Sequence, residues 1–290
     1  MKPTEFEYAR PRDLAEALTL LSKEGISAKL LAGGQSLVPM MNFRTVSPEV
    51  LVDINGLDEL HFCKVEDGRL RIGALMRHGE LFASEVVADA CPLMHEAYRY
   101  VAHHAVRNRG TLAGNLSHAD PASEMPAVML ACDATFVLQS QAGRRDVPAK
   151  DFFLGPLETA LRDDEILIEV AVPVTRQLGW AFDETSMRHG DFAMAGVAVK
   201  LGVASDGSCH STAIALCGVS GKATRIPEAD DCINNSPLTA TSIARCLDVV
   251  RRDIDFTESP GVSASFREHV TSVLVERALN AAYGTANKAD

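Results

Sequence analysis

AKLLAGGQSLVPMMNFR (28–44) is the stretch on which the reading of the fold turns. It opens with an apolar run, AKLLA (28–32), whose length and composition predict a buried strand. The run stops at Gly33-Gly34, and adjacent glycines let a backbone take positive φ and approach a ligand with no Cβ in the way. A short helix is predicted after Ser36. The amides between Ala32 and Leu37 then form a nest suited to phosphate oxygens. Taken alone, the same residues more often describe a tight strand-to-helix turn than a binding site.

Outward from this stretch, strand and helix signals alternate. Phe6 and Tyr8 alternate with polar neighbours, Leu14, Ala17, Leu18 and Leu21 recur at helical spacing, and Gly25 stands where a C-terminal cap belongs. LVDI (51–54) predicts the next strand. FCKV (62–65) and LRIGA (70–74) flank Glu66-Asp67-Gly68, a hairpin signal. A helix is predicted from Leu93 to Val101, and another from Pro121 to Ala131, its N-terminus following Asp120. TFVLQ (135–139) and ILIEVAV (166–172) predict strands, with a long connection near 149–163. After the punctuation of Pro173 to Gln177 the order changes. AGVAVKLGV (195–203) and STAIALCGV (211–219) predict strands about an Asp206-Gly207 turn, followed by helices near 238–252 and 262–283. Strands first and helices afterwards mark a separate α+β unit.

A second stretch shares the chemistry of the first. Arg109-Gly110-Thr111-Leu112-Ala113-Gly114-Asn115, with Ser117-His118-Ala119-Asp120-Pro121 behind it, combines small residues, hydroxyl and amide donors and a helix start. Two such turns are what a long diphosphate-bridged cofactor needs. Neither has the G-x-G-x-x-G spacing, and no G-x-x-x-x-G-K-[ST] or H-E-x-x-H occurs, so Rossmann, P-loop and zincin readings fail. His103-His104 lacks the carboxylate spacing of a metal site and reads as a pair of helix-end residues.

Composition narrows the remaining classes. Of 290 residues, 47% are hydrophobic and 23% charged, ordinary for a globular protein of two or three domains. The net charge of −11 disfavours phosphate backbones and anionic lipid surfaces, so neither nucleic acid nor membrane is an expected partner. No apolar run reaches the roughly 18 to 20 residues that span a bilayer. MKPTEFEYARPRD has no signal-peptide core, and the expected location is cytoplasmic. The seven cysteines are scattered, with no C-x-x-C pair. They are expected to be reduced and mostly buried, and no metal site is expected on this chain.

LLAGGQSLVPMMNFR (30–44) and AVRNRGTLAGNLSHADPASEMPAVMLACDA (105–134) closely resemble the flavin loops of carbon monoxide dehydrogenase medium subunits and of xanthine dehydrogenase. DDEILIEVAVP (163–173) and MRHGDFAMAGVAV (187–199) resemble two further stretches of that molybdenum hydroxylase family, in the same order. The resemblance implies an α+β protein: a two-subdomain FAD-binding fold of the vanillyl-alcohol-oxidase/PCMH type over residues 1–174 (subdomains about 1–56 and 57–174). A C-terminal domain with a three-stranded antiparallel sheet plus helices would occupy 175–290.

Residue by residue, the resemblance implies that Ala32, Gly33, Gly34, Gln35, Ser36 and Leu37 hold the FAD diphosphate. Thr111, Ala113, Gly114 and Asn115 match the family's T-x-G-G-N loop, and Ser117 and Asp120 line the same site. Glu124 matches an acid at the adenosine end, Leu167 an apolar neighbour of the isoalloxazine, and Phe192 an aromatic position at the exposed flavin edge. Relatives often carry His at Gln35 and Gly at Ala113. They also carry a lysine near Asp183-Glu184, where this chain has acids, which puts the flavin potential and the electron acceptor in question. The implied role is an electron relay with no catalytic residue of its own. FAD would lie on this chain, with 2Fe-2S clusters on a small partner subunit and the molybdopterin-type molybdenum cofactor on a large one, the whole a dimer of heterotrimers. A stand-alone FAD-dependent oxidase or dehydrogenase, and an FAD-free scaffold protein, are the alternatives.

Overall fold

In the computed structural model, which describes residues 1–23, 25–174 and 178–286, the apolar run becomes the strand Ala28–Leu31. It pairs in parallel with Val50–Asp53, which pairs in parallel with Glu7–Ala9 on its other side. The central strand is buried at Val50, Leu51 and Val52, as expected where both sheet faces are covered. Helix Leu14–Leu21 packs on this sheet through Leu14, Ala17 and Leu18, and the Asp13 carboxylate caps it by accepting from the Glu16 amide. That helix ends at Ser22, earlier than the position read for Gly25. Gly25 instead supplies a left-handed residue (φ +74°) in the connection beyond it. The short helix after Ser36 spans Leu37–Phe43.

A five-stranded antiparallel sheet follows, ordered Cys63–Glu66, Arg69–Gly73, Ile166–Pro173, Thr135–Ser140, Gly143–Pro148. The predicted hairpin turn has Asp67 and Gly68 both at positive φ (50° and 70°), the geometry that matches strand twist. Ile166–Pro173 occupies the centre and is buried from Ile166 to Val172, which is why it reads as one apolar run. Its pairing shifts register between Leu167 and Glu169. The long connection contains a turn of 3-10 helix, Ala149–Asp151, and a small hairpin, Phe153–Gly155 with Glu158–Thr159. Phe136, Phe152 and Phe153 pack edge-to-face beneath it, with ring centroids 4.5–5.9 Å apart.

The helix predicted from Pro121 begins at Glu124 and runs to Ala131, every residue buried. Asp120–Ser123 forms a turn instead, because the Asp120 carboxylate takes the Ala122 amide (2.9 Å). The buried helix lies against the C-terminal sheet, whose three long antiparallel strands are Gly179–Ser186, Ala193–Val203 and Cys209–Cys217, extended by a two-residue edge, Thr224–Arg225. Helices Ala240–Asp253 and Ala264–Ala286 close a second core there. The first of those strands, GWAFDETS, was not anticipated, because its second half is polar. Thr175–Gln177, which carry the expected punctuation and domain junction, lie outside the described residues. Among the described residues no helix is long and apolar enough to cross a membrane.

Backbone and charge both join the C-terminal sheet to what precedes it. The Gly218 and Ala193 amides donate to the Pro121 and Ala122 carbonyls (2.7 and 3.3 Å). At the far end of the buried helix, Asp133 binds Lys200 (2.7 Å) and Arg225 (2.6 Å), and Arg225 also binds Asp230 (2.7 Å). The turn that carries Glu124 is thereby fixed by both halves of the chain.

Candidate functional site

A cleft of about 1070 Å³ runs between the parallel sheet, the antiparallel sheet and the loop joining the first two strands of the C-terminal sheet. Its size suits a dinucleotide-scale ligand. One wall is the turn Ala32-Gly33-Gly34-Gln35-Ser36 with Leu37. Gly34 sits at φ +69°, the conformation only glycine adopts freely, whereas Gly33 is required for contact. A Cβ on Gly33 would stand 2.4 Å from the Arg109 carbonyl oxygen and 2.6 Å from the Gly110 Cα. Gln35 folds back, its Nε2 donating to the Gly33 carbonyl (3.1 Å). The amides of Gly33, Gly34, Gln35, Ser36 and Leu37 have no acceptor among the described residues, and the Ser36 hydroxyl does not cap the helix it precedes. Such a run of donors is expensive unless water or an anion satisfies it.

The opposite wall is the second stretch. Thr111 caps the helix Leu112–His118 by accepting the Gly114 amide on its hydroxyl (3.1 Å). Ala113, Gly114, Asn115 and Ser117 are therefore helical residues, where the sequence suggested a loop. All of them line the cleft, as does Thr111. The Asn115 amide donates to Ser123 (2.7 Å), while its Oδ1 is buried with no partner. The orphaned acceptor and the unpaired amides fit an extended polar ligand carrying an anionic bridge.

Leu167, Glu124 and Phe192 complete the predicted set on the cleft wall. Asp120 does not line it, since its carboxylate is spent on the Ala122 amide. Glu124 is only 4% exposed, and burial, with Asp120 adding, pushes its carboxyl up to about 7. Beside it on the C-terminal sheet, Glu184 is pushed up to about 8 by burial, then by Glu124 and Asp183, and its Oε2 is buried without a partner. Asp183 pairs instead with Arg277 (3.0 Å). Ala122, two residues before Glu124, accepts from Ala193, next to Phe192, so the backbones that carry Glu124 and Phe192 meet beside the cleft.

Sequence reasoning missed several wall residues. His78 is 3% exposed with an unpartnered Nδ1, and burial, with Arg107 behind it, lowers it to about 4, so it is neutral. His103, read as a helix-end residue, stands at the N-cap position of the short helix His104–Arg107 without a side-chain cap bond and also lines the cleft. Its ring packs so closely on Gly190 (φ +85°) that a Cβ there would stand 2.5 Å from it. Met187 and Leu157 join Phe192 at the mouth, 76%, 52% and 65% exposed. MRHGDF marked the position of Met187 and Phe192, but nothing in the spacing singles out His78. Among the described residues the cysteines form no disulfide, and no group of metal-ligating residues occurs.

Comparison with known proteins gives two family matches that together span the chain: "FAD binding domain in molybdopterin dehydrogenase" over residues 4–175 and "CO dehydrogenase flavoprotein C-terminal domain" over residues 180–282. Caffeine dehydrogenase subunit beta of Pseudomonas sp. (strain CBB1) is 39% identical over 281 residues, covering 96% of this chain and 95% of that protein. Among solved structures, a carbon monoxide dehydrogenase from Hydrogenophaga pseudoflava superposes with a TM-score of 0.95 at 37% identity, covering 98% of this chain and 99% of that one. Quinoline 2-oxidoreductase from Pseudomonas putida 86 superposes at 0.92 with 34% identity, covering 99% and 100%.

Proposed function

The chain belongs to the FAD-binding flavoprotein family of the molybdopterin dehydrogenases, and from that premise we propose that it is the medium, electron-relaying subunit of a heteromeric molybdenum hydroxylase. Substrate would be hydroxylated at molybdenum on a large subunit, and electrons would reach this chain through 2Fe-2S clusters on a small one. Bound FAD supplies a centre that takes electrons from a cluster and passes them to an external acceptor.

The chain's own residues bind and orient. The amides of Gly33, Gly34, Gln35, Ser36 and Leu37 receive the diphosphate, with Ala32 forming the floor. Thr111, Ala113, Gly114 and Ser117 form the facing wall, and the unpaired Oδ1 of Asn115 accepts from the ligand. Leu167 packs on the ring system and Phe192 shields its edge. The backbone that carries Glu124 meets the one that carries Phe192, so we assign Glu124 to the flavin half and not to the adenosine. Asp120 acts indirectly, by shaping the turn that presents Glu124. Residues 1–174 form the cofactor-binding unit in this reading and 175–290 the unit that closes it.

Met187, Phe192 and Leu157 make an exposed apolar rim at the cleft mouth. Such a rim suits the cluster-bearing subunit, because electron transfer requires the cluster and the ring edge to approach closely. The assembly is taken as a dimer of heterotrimers in the cytoplasm. The observation that carries the proposal is the meeting, backbone to backbone in one cleft, of a turn whose amides lack acceptors among the described residues and a second turn that carries the orphaned Asn115 Oδ1. Denaturing the purified full chain and weighing the released cofactor tests it. FAD is expected; FMN alone, flavin covalently retained, or no flavin would each overturn it.

A further inference from the structure

Arg77 does not line the cleft, yet one of its guanidinium arms bonds the backbone that leads into the second turn and the other reaches the first turn through Asn55. Nη1 donates to the Arg109 carbonyl (2.8 Å), the atom nearest Gly33. Nη2 donates to Asn55 Oδ1 (2.5 Å), and the Asn55 amide donates in turn to the Ala32 carbonyl (2.9 Å), one residue before Gly33. One side chain thus holds both backbones at their point of closest approach. The main chain around it ties the same seam: the His78 amide donates to Gly110 (2.9 Å), and the Leu112 amide to Met76 (3.3 Å).

The charge of this side chain is left over. Among the described residues no carboxylate forms an ion pair with the Arg77 guanidinium. Glu80 accepts Arg77's own backbone amide (2.8 Å) and pairs with His61 (3.0 Å), while Asp53 is engaged by Tyr8 and Asn55. A half-buried cation bound only to neutral acceptors therefore stands directly behind the junction of the two turns, the first of which presents amides without acceptors among the described residues. A forked guanidinium can hold both anchors at once, which a lysine ammonium on a single stem cannot do with the same geometry.

We propose that Arg77 is a positioning residue that fixes the spacing between the two anion-suited turns and, with Asn55, sets the affinity for a diphosphate-bridged cofactor. The inference rests on the reading of the cleft as an FAD site. In the test, FAD is removed from the full chain and titrated back, with flavin fluorescence as the readout. Arg77→Gln should raise the Kd for FAD by about tenfold or more, with Arg77→Lys intermediate. Asn55→Ala should raise it comparably, and the double variant should add little beyond either single change, since both act through one path. Arg144→Gln, which removes an equal charge from an exposed position on the edge strand Gly143–Pro148, should leave the Kd unchanged. Thermal melts of the flavin-free proteins check folding, and if the glutamine variant does not fold, the lysine variant decides.

Arg77 variants that bind FAD within twofold of the unmutated chain would overturn the role of Arg77 while leaving the cleft reading intact. Full additivity in the double variant, or an equal effect of Arg144→Gln, would overturn it too. Failure of the unmutated chain to bind FAD would overturn both.

Discussion

Gly33 lies on one wall of the cleft and Arg109 at the start of the turn that forms the other, yet a single added carbon on Gly33 would sit 2.4 Å from the Arg109 carbonyl oxygen. The two anion-suited turns are therefore one structure built at a backbone contact, and what disturbs the contact disturbs the site.

Gly33→Ala should accordingly strip FAD from the purified chain. The colliding atoms are backbone, so no side chain can swing away, and the walls must part by about an ångström or more to restore ordinary packing. Phe192→Ala, at an exposed position, should retain most of its flavin. The ratio of flavin to protein absorbance in the two variants checks this, and equal occupancy would show that the contact is not needed.

The buried acids give a pH signature in the flavin-free chain. Glu124 and Glu184 have folded pKa values near 7 and 8, above the unfolded value of about 4.5. Below about 4.5 both states are protonated and nothing is lost. As pH rises through 7 to 8 the folded state must ionise buried carboxyls, so their contribution to stability is lost. Glu184→Gln should melt level with the unmutated chain at pH 5 and be more stable at pH 8, by about 1 kcal/mol after allowing for its partial exposure. No gain at pH 8 would mean that the carboxylate is comfortably solvated.

The sequence carried much of this site because its turns are local. Gly33-Gly34 after an apolar run and Thr111 before a helix announce themselves within a few residues. What stayed hidden depends on distant partners. The strand Gly179–Ser186 reads as polar because Asp183 and Glu184 face Arg277 and Glu124, which no periodicity reveals. Asp120 looked like a wall residue until its bond to Ala122 showed it spent on a turn. Arg77 and His78 lie in MRHGE, an unremarkable helix entrance, and acquire meaning only from Asn55 and Gly110 across the fold.

The join at the far end of the buried helix should be worth measurable stability. Lys200 is 7% exposed and its ammonium binds Asp133, whose carboxylate also binds Arg225. Asp133→Asn leaves a buried cation without its anion, and the chain should lose about 2 kcal/mol in chemical denaturation. Lys200→Met, which removes the charge, should cost less. The opposite ranking would show that the pair is not what holds the join.

At the mouth, Met187→Asp should leave FAD content unchanged, because this side chain is 76% exposed at the rim. The same change should weaken association with the cluster-bearing subunit, about tenfold or more if the residue lies at the centre of the contact. Gel filtration of reconstituted mixtures reads the outcome. Undiminished assembly would move the interface elsewhere.

The relay assignment meets its most direct test in the native complex, purified through this chain. Iron, molybdenum and flavin should elute together with two partner chains, and FAD should stay with this chain when the subunits are separated. The separated chain should then oxidise no organic substrate, while the complex does. Turnover of an organic substrate by the separated chain at the rate of the complex, or native chain that carries flavin without iron or molybdenum partners, would contradict it.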